Sequence, residues 1–381
     1  MHILIAPDSF KDALGATDAA NAIAEGIRQA APDADWTLCP LGDGGEGTLE
    51  ALLTASGAEA RSLEVHDALN RPRMAQWGWI ASRRTAIVEL AEASGLQHLQ
   101  PEERDALHTT TRGVGELIHA ALEAGAEHLI LTLGGSATND GGAGMMSALG
   151  VRFLNDNDQP LEPGGAALAG LSRIDLSGID PRLAQLTVEA AVDVNNPLCG
   201  DQGASAIFGP QKGATKEQVD QLDQALARLA DITLDATGQD HRDSAGAGAA
   251  GGMGFAALAF LNATLRPGIE LVMEQVGFEK TLEHTDLVIT GEGRLDGQSL
   301  SGKTPIGVSR AARRQGVPCV VLAGKLDSGW EQALEEGVTA AFALADGPMA
   351  LEEALKRTPE LLSARSASIM RLFGYPSRNG R

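Results

Sequence analysis

TGEGRLDGQSLSGKTPIG, residues Thr290 to Gly307, directly follows the apolar run Asp286-Leu-Val-Ile289, and its reading decides the fold class. The run predicts a strand over 286–290. Glu292, Arg294, Asp296 and Lys303 then stand among glycines just past it. Charged groups beside permissive backbone, at the carboxyl end of a strand, suit a polar ligand better than a core. GGSATNDGG (Gly134–Gly142) stands in the same relation to Leu129-Ile-Leu-Thr-Leu133, and APDSFKDAL (Ala6–Leu14) to His2-Ile-Leu-Ile5. Three such loops predict an α/β enzyme that handles an anionic ligand.

Working outward, the amino-terminal segment reads as strand 2–6, helix 18–31, strand 36–40 and helix 46–56. Thr17 is the expected N-cap of the first helix, and Gly57 closes the second. The carboxy-terminal segment reads as strand 286–290, helix 306–315, strand 317–323, helix 330–336, strand 339–344 and a last helix from about 350. Alternation of this kind implies parallel strands joined by right-handed crossovers. In between, 75–90 reads as a hairpin, 113–124 and 217–232 as helices, and 128–133 and 186–194 as strands. GAGAAGGMG (Gly246–Gly254) reads as a mobile loop leading into a helix at 255–262. The expected architecture is α/β in two domains. A Rossmann-like parallel-sheet domain takes 1–64 and 285–381, an α/β domain is inserted at 65–284, and the active site lies in the cleft between them.

Composition narrows the function. With 30 basic and 51 acidic residues the formal charge is −21, which argues against nucleic acid as a partner. Small anions remain admissible, because helix N-termini and single cations decide their binding. Only seven lysines occur, and Lys11, Lys212, Lys303 and Lys325 all fall in glycine-rich or strand-end loops, as expected for anion contacts. No apolar run approaches the ~18 residues of a membrane helix, and the chain opens directly into a strand pattern. No membrane partner is expected, and the location is expected to be cytoplasmic. Cys39, Cys199 and Cys319 are far apart and suggest neither a disulfide framework nor zinc.

Two motif matches are set aside. GQSLSGKT (Gly297–Thr304) satisfies the P-loop pattern, but with the strand ending near Thr290 the intervening GEGRLD breaks the required context. GAGAAG (Gly246–Gly251) satisfies the dinucleotide fingerprint without a preceding strand. Two further loops carry chemistry. In DGGEGT (Asp43–Thr48) backbone N–H groups could receive an anion beside a carboxylate, or the loop could be a turn capping the next helix. In DVNNP (Asp193–Pro197) the carboxylate ends a strand, as a base or metal ligand oriented by the Asn amides, or as part of a turn. FGPQKG (Phe208–Gly213) places Lys212 beside a Gly-Pro turn, which is otherwise a surface hairpin.

Taken together, APDSFKDAL, DGGEGT, GGSATNDGGAG, DVNNPLCG, FGPQKGA, AGAAGGMG and TGEGRLDGQSLSGKTPIG closely resemble the bacterial glycerate kinases of the first type. The resemblance spans essentially the whole chain. It implies ATP-dependent, Mg²⁺-assisted phosphorylation of D-glycerate at the 2-hydroxyl, giving 2-phosphoglycerate and ADP. It also implies a two-domain, glycerate kinase I-like α/β fold unrelated to P-loop kinases. On the positions so marked, Asp193 is the expected base, with Asp296 the next candidate, and Arg294 the partner of the substrate carboxylate. Ser9 and Lys11 would hold substrate or the transferred phosphate, with Arg294 and Asp296 beside them. Asp8, Asp43 and Glu292 are expected at Mg²⁺. Gly134, Gly135, Ser136, Thr138, Asn139, Lys212, Gly251, Gly252 and Lys303 are expected at the nucleotide. A homo-oligomer is compatible with the sequence. A nicotinamide-dependent oxidoreductase and a non-catalytic nucleotide sensor are the competing classes. The first lacks a placed fingerprint, and the second has no use for the acidic groups.

Overall fold

The apolar runs become strands. In chain order they are β1 (His2–Ile5), β2 (Asp35–Leu38), β3 (Glu59–His66), β4 (Pro72–Ile80), β5 (Thr85–Glu89), β6 (His128–Thr132) and β7 (Arg152–Leu154). They continue with β8 (Arg173–Asp175), β9 (Thr187–Ala191), β10 (Thr264–Arg266), β11 (Leu287–Leu295), β12 (Cys319–Leu326) and β13 (Ala340–Ala343). These elements come from a computed structural model that describes residues 1–297 and 299–373. The chain divides into two units. One holds Met1–Asp43, Glu50–Gly57 and the chain from Ile269 onward, and the other holds Gly44–Leu49 and Ala58–Gly268.

The first unit is a five-stranded parallel sheet in the order β13-β12-β11-β1-β2. Side chains alternate across it, as period-two strands require. Ile3, Ile5, Val320 and Leu322 face the helices Ala16–Ala30 and Thr358–Phe373, while Val321 and Ala323 face the helix Thr304–Arg314. Both faces are therefore covered, as in doubly wound folds. Counted within this unit the strand order is 2-1-3-4-5, and it reverses direction between β1 and β11. Ligands of such sheets bind outside the carboxyl ends of the strands at that reversal.

β11 does not stop near Thr290 but runs to Leu295, pairing Gly291 with Leu322, Glu292 with Ala323 and Arg294 with Lys325. Glycines permit this close pairing. A Cβ at Gly291 would lie 2.3 Å from the Leu322 carbonyl oxygen, and one at Gly324 would lie 2.5 Å from that of Gly293. Glu292 and Arg294 thus stand on the strand and not in the loop that the sequence suggests. Thr17 is not the N-cap of the first helix. Gly15 holds that position, and the Thr17 hydroxyl meets Thr54. Residues 330–334 form a 3-10 turn where a longer helix is expected.

The second unit carries a six-stranded sheet, β10-β9-β6-β5-β4-β3, parallel from β10 to β5 and antiparallel from β5 to β3. β3 is unforeseen in the sequence reading, and its antiparallel pairing with β4 assigns residues 59–66 to this sheet. The helices Arg112–Glu123, Lys216–Thr237 and Ala249–Leu261 bury Val114, Leu117, Leu226, Leu229 and Phe255 against one continuous core.

Gly26 marks the closest helix contact in the first unit. A Cβ there would sit 2.1 Å from both the Ser363 carbonyl oxygen and Ser366 Oγ. Gly26→Ala is expected to destabilise the chain by roughly 1–3 kcal/mol through overpacking. A thermal midpoint unchanged from wild type would refute that contact.

Candidate active site

At the reversal between β1 and β11, acidic groups crowd together. Asp8 follows β1, Glu292 lies on β11 and Asp296 ends it. Asp43 lies in the loop beyond β2, and Asp12 in the loop after β1 takes the left-handed region (φ 64°). The Asp8 carboxylate accepts from Thr304 Oγ1 at 2.5 Å and from the Ser9 N–H at 2.6 Å. Even so, burial and the Asp43 charge push Asp8 up to about 8, with Glu292 adding to the effect. Glu292 is 7% exposed and accepts from Ser299 Oγ at 2.7 Å. Burial pushes it up to about 7, with Lys303 opposing and Asp43 and Asp296 reinforcing the rise. Carboxylates forced together in this way are a mark of a ligand site.

Arg294 and Asp296 form a separate ionic group. Arg294 Nε meets Asp296 Oδ2 at 2.9 Å, and its Nη2 meets Asp327 Oδ2 at 3.0 Å. Lys325 also reaches Asp327, at 2.8 Å, so one carboxylate bridges two cations that the strand register sets side by side. The Arg294 side chain remains 61% exposed and can reorient toward a ligand carboxylate. Lys11 is exposed and Ser9 half-buried, both in the turn after β1. Lys303 is the N-cap of the helix Thr304–Arg314, with Pro305 in its first turn.

β11 reaches Leu295, so GQSLSGKT does stand between a strand and a helix after all. The P-loop reading fails for a different reason. A P-loop turns its N–H groups onto phosphates. Here Ser299 N–H bonds the Asp296 carbonyl at 3.0 Å, Gly302 and Lys303 N–H bond the Ser299 carbonyl at 3.3 and 3.1 Å, and Thr304 Oγ1 bonds Asp8.

In the second unit the loop Gly134–Gly142 follows β6. Gly134 is half-buried and Gly135 exposed, with φ +73°, whereas Ser136, Thr138 and Asn139 are buried. Asp140 is fully buried and accepts from the N–H groups of Thr111, Gly142 and Gly144 and from Thr111 Oγ1. Burial raises its pKa and those bonds oppose the rise. Gly246–Gly254 leads into the helix as expected, but it is packed in the interior and not at the surface. Ala250, Gly251 and Gly252 form a left-handed kink at the start of the helix Ala249–Leu261, with Gly251 packed on Thr138 and Asn139 and Gly252 on Gly141 and Leu198. Lys212 is likewise no surface residue. It is 1% exposed in a short 3-10 turn, and its Nζ donates to the Thr138 carbonyl at 2.6 Å. Burial pulls that ammonium down to about 7, with the Asp140 charge opposing.

Asp193 is half-buried after β9, and its Oδ1 accepts from the Gly268 N–H at 2.9 Å. The Asn196 amide donates to the Gln202 carbonyl. In DGGEGT the carboxyl that meets the Gly47 N–H belongs to the chain, and the Gly44 N–H goes to Thr48 Oγ1. Glu89, 2% exposed at the end of β5, accepts from Gly47 N–H at 3.0 Å and Leu49 N–H at 2.7 Å. Glu89, Asp140, Ser299 and Thr304 are the site-supporting residues missing from the sequence reading. The signal for Glu89 was a lone carboxylate in the apolar run TAIVEL.

Among the described residues, no three His, Cys, Asp or Glu side chains by themselves form a metal cage. None of the described helices is long and apolar enough to cross a membrane.

A sequence model of the glycerate kinase family matches residues 3–374. The chain is 47% identical to the glycerate kinase of Bacillus subtilis strain 168, over 97% of each chain. It is 44% identical to the glycerate 2-kinase of Escherichia coli K12, over the full length of both. A crystal structure from Salmonella typhimurium LT2 described as a glycerate kinase 2 is 46% identical and superimposes with a TM-score of 0.87 over 98% of each chain.

Glu89 yields a pH prediction. Burial raises it from 4.5 to about 7, so the folded chain holds this proton more tightly than the unfolded chain. Its contribution is complete below about pH 4.5 and is lost as pH rises through 7. Glu89→Gln removes that titration. Between pH 4.5 and 8, wild type is expected to lose on the order of 3 kcal/mol relative to the variant, read from urea unfolding. Parallel pH profiles would contradict this.

Proposed function

The chain belongs to the glycerate kinase family, and from that premise we propose that it transfers the γ-phosphoryl group of ATP to the 2-hydroxyl of D-glycerate. The observation that carries this reading is the full-length match, at 44% identity, to a relative named glycerate 2-kinase. Oxygen 2 of glycerate forms a bond to the γ-phosphorus, and the bond from that phosphorus to the β–γ bridging oxygen breaks. ADP leaves, and the hydroxyl proton passes to a carboxylate. Such a reaction asks the protein for positioning, charge neutralisation and one base.

We assign the base to Asp193, whose other task, accepting from Gly268 N–H, leaves it a fixed orientation. Arg294 offers a planar fork to the glycerate carboxylate, a geometry an ammonium lacks, while Asp296 holds its Nε. Ser9 and Lys11 are assigned to the substrate. The exposed backbone of Gly135 is assigned to the nucleotide phosphates, as is Lys303, whereas the Gly134 N–H is spent on the Gly44 carbonyl.

Mg²⁺ fits the donor set of Asp8, Asp43 and Glu292. All three are hard oxygen donors, and burial, reinforced by the Asp43 charge, raises both Asp8 and Glu292, so the three carboxylates lie within electrostatic reach of one another. One or two carboxylates plus phosphate oxygens and water are what Mg²⁺ ordinarily takes. When bound, it would neutralise charge on the transferring phosphate.

Phosphorus NMR of the purified chain with ATP, Mg²⁺ and D-glycerate tests the reading, and a 2-phosphoglycerate signal is expected. A 3-phosphoglycerate signal would overturn the regiochemistry, and no product from folded protein would overturn the substrate. Asp193→Asn keeps an oxygen acceptor for Gly268 N–H while removing basicity. Turnover is expected to fall roughly 10²–10⁴-fold with ATP affinity nearly unchanged. Activity within a few-fold of wild type would move the base elsewhere.

A further inference from the structure

Lys212 is a cation with nowhere to go. Its side chain is among the largest fully buried in the molecule, and its ammonium carries three donors. One is placed, on the Thr138 carbonyl oxygen at 2.6 Å. The same loop also holds buried oxygens that neither this ammonium nor any other described donor satisfies. Thr138 Oγ1 and Asn139 Oδ1 are both buried without a hydrogen-bond partner among the described residues, while Asn139 Nδ2 is fixed on Ser205 Oγ at 2.9 Å. The Asp140 carboxylate acts on the same ammonium. Orphaned buried oxygens are costly in a native structure and ask for an explanation. A backbone carbonyl in direct contact and a carboxylate within electrostatic reach are what a monovalent cation would meet at this place.

Glycines seal the place. Gly251 has φ +67°, and a Cβ there would lie 2.0 Å from the Thr138 carbonyl oxygen and 2.6 Å from Asn139 Cα. Gly213, directly after Lys212, has φ +92°, and its Cβ would lie 2.4 Å from the Arg104 carbonyl oxygen. The loop is also tied to the kink by Gly141 N–H bonding the Gly251 carbonyl at 2.9 Å. A side chain 1% exposed does not meet a phosphate directly, so its action passes through the loop it underlies.

We propose that Lys212 is a positioning residue whose ammonium fills a monovalent-cation cradle beneath the loop Gly134–Gly142, fixing the backbone that the reading above assigns to the nucleotide phosphates. The kinetic consequence rests on that reading, whereas the cradle itself does not. Ammonium matches the missing group in charge and size, so an enlarged, uncharged site should accept it from solution.

The test compares Lys212→Ala, which empties the cradle, with Lys212→Met, which fills it with apolar atoms. Thermal midpoints are measured without substrates in ammonium chloride and in choline chloride, whose cation is too large to enter. Lys212→Ala is expected to gain several degrees in ammonium over choline, and wild type and Lys212→Met none. In the kinase assay both variants are expected to lose on the order of 10²-fold in kcat/KM for ATP, with KM for glycerate little changed. Ammonium is expected to restore much of the loss in Lys212→Ala alone. Equal responses to the two salts, or wild-type kinetics in either folded variant, would overturn the proposal. Should Lys212→Ala fold in neither salt, Lys212→Met with wild-type kinetics would still overturn it. If wild type has no glycerate kinase activity, the function fails and the thermal comparison alone decides the cradle.

Discussion

Mutual repulsion among Asp8, Asp43, Glu292 and Asp296 is the constraint around which the first unit's loops are arranged. A folded chain left to itself would avoid setting these acids within electrostatic reach of one another. Each neighbouring feature offsets part of the repulsion. The Thr304 hydroxyl and the Ser9 N–H are turned onto Asp8, Ser299 is turned onto Glu292, and Lys303 is brought near by the start of the helix Thr304–Arg314. These contacts are incomplete compensation, since burial first, and the neighbouring carboxylates after it, still hold Asp8 and Glu292 well above the ordinary carboxylate range. Stability forgone at a site and recovered in the core is the usual arrangement for a functional surface. The recovery here comes from the sheet, whose inner strands are apolar and covered on both faces.

The second unit uses buried charge in the opposite sense. Glu89, Asp140 and Lys212 are each almost wholly enclosed, and each is directed at backbone of a glycine-rich segment: Glu89 at Gly47 and Leu49, Asp140 at Thr111, Gly142 and Gly144, Lys212 at Thr138. Charge-assisted bonds to backbone are among the stronger protein hydrogen bonds, and low local polarity strengthens them. Glycine supplies permissive φ and close approach but no rigidity. The three buried side chains supply the rigidity by taking N–H and C=O groups of these segments for themselves.

Much of this was legible in the sequence because the signals are local. Strand runs ending in charged glycine-rich loops identified Asp8, Glu292, Lys303 and the 134–142 loop, and parallel pairing followed from alternation with helices. What stayed hidden depends on partners distant in sequence. Nothing in DGGEGT announces that Glu89, some forty residues on, will occupy its N–H groups. Nothing in FGPQKG distinguishes a surface lysine from one buried against Thr138, because that partner lies 74 residues earlier in the chain. The end of β11 was misplaced because glycines and charges read as loop, whereas Gly291 and Gly324 are the residues that let β11 and β12 stay paired.

The GQSLSGKT segment shows why a motif must be judged by where its hydrogen bonds go. By strand and helix context alone it would pass as a phosphate-binding loop, since β11 precedes it and a helix begins at Thr304. Its N–H groups at Ser299, Gly302 and Lys303 are instead turned inward on the carbonyls of Asp296 and Ser299. Its Ser299 and Thr304 hydroxyls serve Glu292 and Asp8. The segment is therefore a scaffold for carboxylates, the inverse of a cradle for anions. The same residue types that would gather a phosphate here hold apart and orient the acidic groups that can gather a cation.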